Sequence, residues 1–320
     1  MRSSYSHSES RGRSYCKMCR IIDRCLPWSY GDDYVPALLA TRNDGASRGR
    51  LHQIPAPGWK RSMHFMSAAE ARIAAWVAYQ PDFVEGLENR PCVPIPGLPV
   101  LDGHPLLAGK PLPSSSGTVE LAKRLGIRHP TTVNTVKAHG GTAPVHRVDF
   151  YPLTSDLVGI FKSSDGVRAV NLFIKKTAYD LVLDSRHQDL FRIEQAYYAE
   201  AGVPTVKVCE SELDPVVTNN LVRLIKLGRP SGNLSHSTIG HVLRFMEQRV
   251  FESAPASWSN ALLEKFGLST QEGFAIFHYG VFRRYLRVDL TEAVAMDRVH
   301  RPERVNFAAN FASRFLEPLP

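Results

Sequence analysis

The spacing of apolar positions along this chain changes repeatedly, and each change marks an element. After Ser67, the residues Ile73, Ala74, Trp76 and Val77 recur on one helical face down to Pro81. Ser67 followed by Glu70 has the capping-box spacing that starts a helix. Phe83 to Ile95 then reads as extended, residues 96–117 as a long loop, and Val119 to Leu125 as a short helix. Val145 to Leu153 alternates, with Val148 and Phe150 on one side and Arg147, Asp149 and Tyr151 on the other. Leu157 to Phe161 and Ala169 to Ile174 are apolar runs separated by Asp165-Gly166, a hairpin signal. Residues 185–201 read as a helix stopped by Gly202, Val203 to Cys209 as a strand, and Asp214-Pro215 opens a helix towards Leu227. That order predicts an α/β fold, a mixed sheet with flanking helices. Beyond Gly228-Arg229-Pro230-Ser231-Gly232 the period is helical over Ile239–Phe251, Ala256–Phe266 and Ser269–Gly280. A strand follows at Arg283–Leu290, giving a small, mainly helical, winged-helix-like C-terminal domain. The expected divisions are a basic arm at 1–60, an α/β domain at 61–227 and the helical domain at 233–320.

Composition narrows the class. Of 320 residues, 43% are hydrophobic and 22% charged, which excludes collagen and full disorder. No apolar run approaches the ~18 residues of a membrane span, and Met1–Arg13 lacks the apolar stretch of a secretory signal. The expectation is a cytoplasmic protein without a membrane partner. A net charge of +8 suits a polyanion such as nucleic acid. Arg48 and Arg50, followed after Trp59 by Lys60 and Arg61, have the basic-aromatic pattern of a phosphate contact, against a plain solvated surface. Arg283, Arg284 and Arg287 beside Phe282 and Tyr285 carry the same pair of readings. The five cysteines, Cys16, Cys19, Cys25, Cys92 and Cys209, form no disulfide framework. Cys16-x-x-Cys19 with Cys25 nearby raises a zinc site, but the second ligand pair is missing.

Hydrolysing a phosphodiester calls for a divalent cation that neutralises the phosphate and acidifies water. Magnesium takes oxygen ligands and keeps several waters, so one or two carboxylates suffice, and a lysine can offset developing charge. Glu70 on a helix, Asp149 on a strand and Lys175 closing a neighbouring strand supply that set. Structural readings compete: a first-turn Glu favours the helix dipole, and a strand-end Lys is commonly solvated. Asp184, His187 and Asp189 cluster after the lysine, with His187 a candidate for supporting the site. No phosphate-cradling GxxxxGK[ST] loop is present, so any ATPase must be a partner.

Several short motifs in order give the chain a resemblance to a known family. They are Ser47-Arg48-Gly49-Arg50 with Trp59-Lys60, Ser67-Ala68-Ala69-Glu70, Leu125-Gly126-Ile127-Arg128-His129-Pro130, Val148-Asp149-Phe150, Phe173-Ile174-Lys175-Lys176, and Glu212-Leu213-Asp214-Pro215 with Asn219-Asn220-Leu221. Over residues 45–288 the chain resembles TnsA, the endonuclease subunit of heteromeric TnsABC-type transposases. The resemblance implies a restriction-endonuclease-like domain and Mg²⁺ (with Mn²⁺ able to substitute) held by Glu70 and Asp149, with Lys175 catalytic. It further implies cleavage of the 5′, non-transferred strands of double-stranded DNA at transposon ends, beside a TnsB-like transposase and a TnsC-like regulator ATPase. At the position two before the lysine the family has Gln or an acid, and this chain has Phe173, which cannot ligate a metal. The Ile174 carbonyl or Asn171 are the candidate substitutes. Phe173 keeps a second reading open, a catalytically degenerate assembly factor bridging DNA, transposase and regulator; a third is a stand-alone restriction-type nuclease, against which the winged-helix-like tail argues. Target-site selection and oligomeric state are not encoded legibly.

Overall fold

The computed structural model describes residues 24–25, 28–41, 51–97, 99–107, 112–137, 144–164, 166–182 and 185–317; of 132–137, 144–149, 163, 181 and 182 it describes the backbone alone. Arg48, Arg50, Cys16 and Cys19 lie outside the described residues.

A hairpin of β1 (His52–Pro55) and β2 (Ser62–Phe65) leads into helix α1 (Ala68–Ala78). The Ser67 hydroxyl accepts from the Glu70 amide, as the capping-box spacing predicts. Strand β3 (Phe83–Cys92), helix α2 (Thr118–Arg124) and a second hairpin, β4 (Thr131–Lys137) with β5 (Pro144–Phe150), come next. Strands β6 (Leu153–Ser163) and β7 (Gly166–Lys175) form the hairpin marked by Asp165-Gly166. A single turn at Tyr179–Val182, helix α3 (Ser185–Glu200), strand β8 (Thr205–Cys209) and helix α4 (Pro215–Leu227) complete the α/β part. The α4 N-terminus is fixed by Asp214, whose carboxylate accepts from the Val216 and Val217 amides, with Pro215 leading the first turn.

The central sheet has the order β3-β6-β7-β8, antiparallel except for the parallel β7–β8 pair. It is a mixed sheet, and β7–β8 is joined through α3, as a parallel pair requires. Side-chain alternation divides its faces. Leu157, Phe161, Val170, Leu172 and Ile174 pack under α1 and α4. Val158 and Ile160 face Ile193, Tyr197 and Tyr198 of α3, with Leu121 of α2 in the same cluster. The fold is therefore α/β, a mixed sheet covered by helices on both faces, compatible with a nuclease-like α/β architecture.

Helices α5 (His236–Glu247), α6 (Ser259–Phe266) and α7 (Thr270–Phe282) follow, and Ser269 caps α7 in a reciprocal box with Glu272. The boundary expected at 228–232 does not divide the core. One apolar cluster joins Ile73, Trp76 and Leu224 to Phe277, Phe311 and Phe315. Trp76 stacks on Phe311 of α8 (Phe307–Phe311) at 5.5 Å between centroids, and its Nε1 donates to Thr218 Oγ1 at 2.9 Å.

The strand expected at Arg283–Leu290 does not form. Its apolar alternation is real, with Leu286, Val288 and Leu290 buried, but the opposing segment meets it at one bridge, Val288 to Pro302. Proline has no amide to continue a ladder. The chain bends instead at Arg284, whose φ is 61°, so no hairpin wing exists among the described residues. Residues 28–41, expected within a basic arm, dock on the body: Ala37 is fully buried and Tyr34 nearly so. No described helix is long and apolar enough to cross a membrane.

A candidate active site at the fork between two strands

The β6–β7 ladder runs from Ser163 opposite Gly166 to Leu157 opposite Leu172 and stops there. Past that point β6 stays with β3 as far as Leu153 opposite Cys92. Strand β7 stays with β8 as far as Lys175 alongside Cys209. The two middle strands thus part company, and the fork between them holds Asp156 and Lys175.

Asp156, the next residue of β6, fills the gap. Its Oδ2 accepts from the Ile174 amide at 2.7 Å, standing in for a ladder carbonyl. The same oxygen lies 3.8 Å from Lys175 Nζ, and both side chains are about one-fifth exposed. Glu70 approaches from the N-terminus of α1. Its Oε2 accepts from the Met66 amide (2.9 Å) and its Oε1 from the Ser67 hydroxyl (2.7 Å). Burial, then the charge of Asp156, pushes the Glu70 carboxyl up to about 7, against Ser67, Met66 and Lys175. Asp156 is itself raised by burial, opposed by Lys175 and the Ile174 amide. Two mutually repelling carboxylates beside one ammonium in a partly dry site favour holding a proton, which a bound cation would displace.

The sequence places the aspartate of the site at Asp149, whose backbone lies on β5 opposite Thr132, in the separate two-stranded sheet. The carboxylate described beside Lys175 is that of Asp156. The register brings it there: the hairpin pairs Leu157 with Leu172, so one residue outward on each strand Asp156 stands across from Phe173.

Phe173 is 6% exposed and packs edge-on against Phe191 of α3 at 5.0 Å. Lys175 Nζ rests 4.0 Å from its ring centre, a cation–π contact. Phe173 therefore positions the lysine and offers no oxygen to a metal. Asn171, the other candidate substitute, is fully buried; its Nδ2 donates to Glu194 Oε1 (2.8 Å) and Thr205 Oγ1 (3.2 Å), and its Oδ1 has no hydrogen-bond partner among the described residues.

Glu194 on α3 escaped the sequence reading, since a Glu on a helix carries no sign of burial. It is 4% exposed, and burial first, then the Asp156 charge, raises it to about 8. A folded carboxyl that titrates above its ordinary 4.5 binds protons more tightly than the unfolded chain. Its contribution is intact below pH ~4.5 and is lost as pH rises through the folded value. Glu70 and Glu88, both near 7, act over the lower part of that range. Glu194→Gln, which keeps the acceptor for Asn171, should therefore abolish the fall in denaturation midpoint between about pH 7 and 8. A midpoint that falls as steeply in the variant would show Glu194 to be ionised in the native protein.

Among the basic candidates, Lys60 is exposed, whereas Arg61 is removed from any surface role. Its side chain is 8% exposed, with Nη1 3.0 Å from the buried Glu88 carboxylate and Nη2 donating to the Gly86 carbonyl. Arg284 and Arg287 both pair with Glu303, Arg284 at 3.3 Å and Arg287 at 2.7 Å; Arg284 is 11% exposed and Arg287 58%. Arg283 caps the end of α7, half-buried. Of the zinc candidates, Cys25 is buried and its Sγ–H donates to the Val35 carbonyl at 3.7 Å. Burial pushes its thiol up to about 11, a protonated structural cysteine.

The donor set suits a hard cation. Two carboxyl groups with a partly exposed mouth for water match magnesium's preference for few protein ligands. Among the described residues no group of three or more His, Cys, Asp or Glu is placed to cage a metal. Set against known proteins, the chain matches no family model and no curated protein.

Proposed function

We propose that the chain is a metal-dependent DNA endonuclease, acting as the TnsA-like subunit of a transposase that cuts the 5′ strands at transposon ends. The observation that carries this reading is the fork itself: Asp156 and Lys175 pair where two strands separate, within electrostatic reach of Glu70. Glu70 and Asp156 are the residues that would hold Mg²⁺ (or Mn²⁺), which when bound neutralises the phosphate and acidifies water. Lys175, set by Phe173 and Asp156, offsets the negative charge that grows on the phosphate oxygens. Asp156 keeps its orientation through the Ile174 amide, so the carboxylate meets its ligand without first reorganising. The +8 net charge of the chain suits a DNA substrate.

Phe173 supports a second reading, an assembly factor of the same family that bridges DNA, a TnsB-like transposase and a TnsC-like ATPase without cutting. Strand-specific nicking of element-end DNA, with partner proteins and Mg²⁺, separates the two. The expected result is 5′-strand cleavage that disappears on chelation. Cleavage confined to the 3′ strands would leave the assembly role.

A further inference from the structure

On the face of the sheet that carries Lys175, β8 holds a second ammonium, that of Lys207. We propose that Lys207 is a further substrate contact, which grips a backbone phosphate of the DNA strand lying across the fork.

Strand alternation sets its direction. Val208 joins the cluster under α1 and α4, with Val206 packed against it, so Lys207 between them turns to the other face. The parallel register places Phe173 alongside Lys207 and Lys175 alongside Cys209, which puts Phe173, Lys175 and Lys207 on one face of neighbouring strands. Two rings then fix the ammonium groups relative to each other. Lys175 Nζ lies 4.0 Å from the Phe173 ring centre, Phe173 and Phe191 meet edge-on at 5.0 Å, and Lys207 Nζ lies 4.1 Å from the Phe191 ring centre. Both rings are buried, so the support is rigid. A long side chain free in water samples many rotamers; resting on a ring, this one is already confined.

What balances each cation differs. Lys175 has Asp156 at 3.8 Å. Two arginines reach the turn that follows β8, and each is taken by an acid there, Arg72 by Glu210 and Arg314 by Glu212. Lys207 is exposed and makes no hydrogen bond or ion pair among the described residues. Its charge is therefore open to an anion, and a compact ammonium serves a phosphate as a point charge. The inference rests on the nuclease reading for what lies over the fork.

The test is duplex binding by the full chain without added metal, titrated between about 50 and 200 mM salt. Lys207→Gln should flatten the slope of log K against log salt by about 0.9, whereas Lys207→Arg keeps the charge and should keep the slope. Lys226→Gln is the control. It removes another exposed charge, from α4 on the other face of the sheet, and should leave the slope unchanged. Lys207→Gln forfeits only the contact with Phe191, so its melting temperature should match wild type. An unchanged slope in Lys207→Gln, or equal flattening in both Gln variants, overturns the contact even if the wild type cuts DNA. Flattening confined to Lys207→Gln, in a protein that never cuts with its partners and Mg²⁺, keeps the contact and ends the nuclease reading. Failure of the wild type to bind duplex DNA ends both.

Discussion

If the chain is the nuclease proposed above, Asp156→Asn should lower Mg²⁺-dependent strand cleavage by about 10²–10³-fold or more, while Asp149→Asn should stay near wild type. The size follows from the several kcal/mol that a bound divalent ion supplies to phosphodiester hydrolysis, at 1.36 kcal/mol per tenfold in rate. Asn keeps an oxygen for the Ile174 amide and removes a half-buried negative charge, so folding should survive. A drop in melting temperature would mean that the carboxylate serves the fold. Cleavage assays on both variants, run with their thermal melts, decide between the two strands. Equal loss in both variants, or full activity in Asp156→Asn, removes the fork as the active site.

Trp76→Ala is expected to cost about 3–5 kcal/mol, the range for truncating a large buried aromatic. Trp76 is 3% exposed, stacks on Phe311, lies 6.2 Å from the Phe307 ring and donates to Thr218. Truncation would open a cavity between α1, α4 and the C-terminal segment and leave Thr218 without its donor. For a chain of this size the melting temperature should fall on the order of 10 °C. Because one apolar cluster spans both halves, the melt should remain a single transition. Two transitions, only one of them displaced, would show that the C-terminal helices fold independently.

Most of the helices and strands were legible because local signals agreed with tertiary demands. The Ser67 and Ser269 boxes, the Asp214-Pro215 start and the Asp165-Gly166 hairpin each satisfy orphan backbone groups or a tight turn in only one way. Arg283–Leu290 failed where pattern is silent, since alternation reports burial and says nothing about a partner strand with amides to give. Arg61 failed for a related reason: a basic residue beside Lys60 looks solvated, and only the fold reveals buried Glu88 opposite it. At the site, Glu70 and Lys175 could be read from a cap and a strand end. Asp156 could not, because it stands just ahead of the apolar run beginning at Leu157, and a strand drawn by hydrophobicity alone stops one residue short.

Arg61 has one more consequence, for the stretch before β1. Its guanidinium faces Glu85 and Glu88, its Nε donates to the Gly31 carbonyl, and the Gly31 amide donates to Glu85. Trp59 leans so close to Gly31 that a methyl group there would fall 2.8 Å from its ring. Residues 28–37 therefore act as a lid over two buried acids, held from within by Arg61 and, at Glu85, by His104 at 3.5 Å. A fragment trimmed to begin at the first strand would open those acids to water and strip the cation of its backbone anchor. A fragment meant to fold alone should therefore keep residues 28–37 ahead of β1.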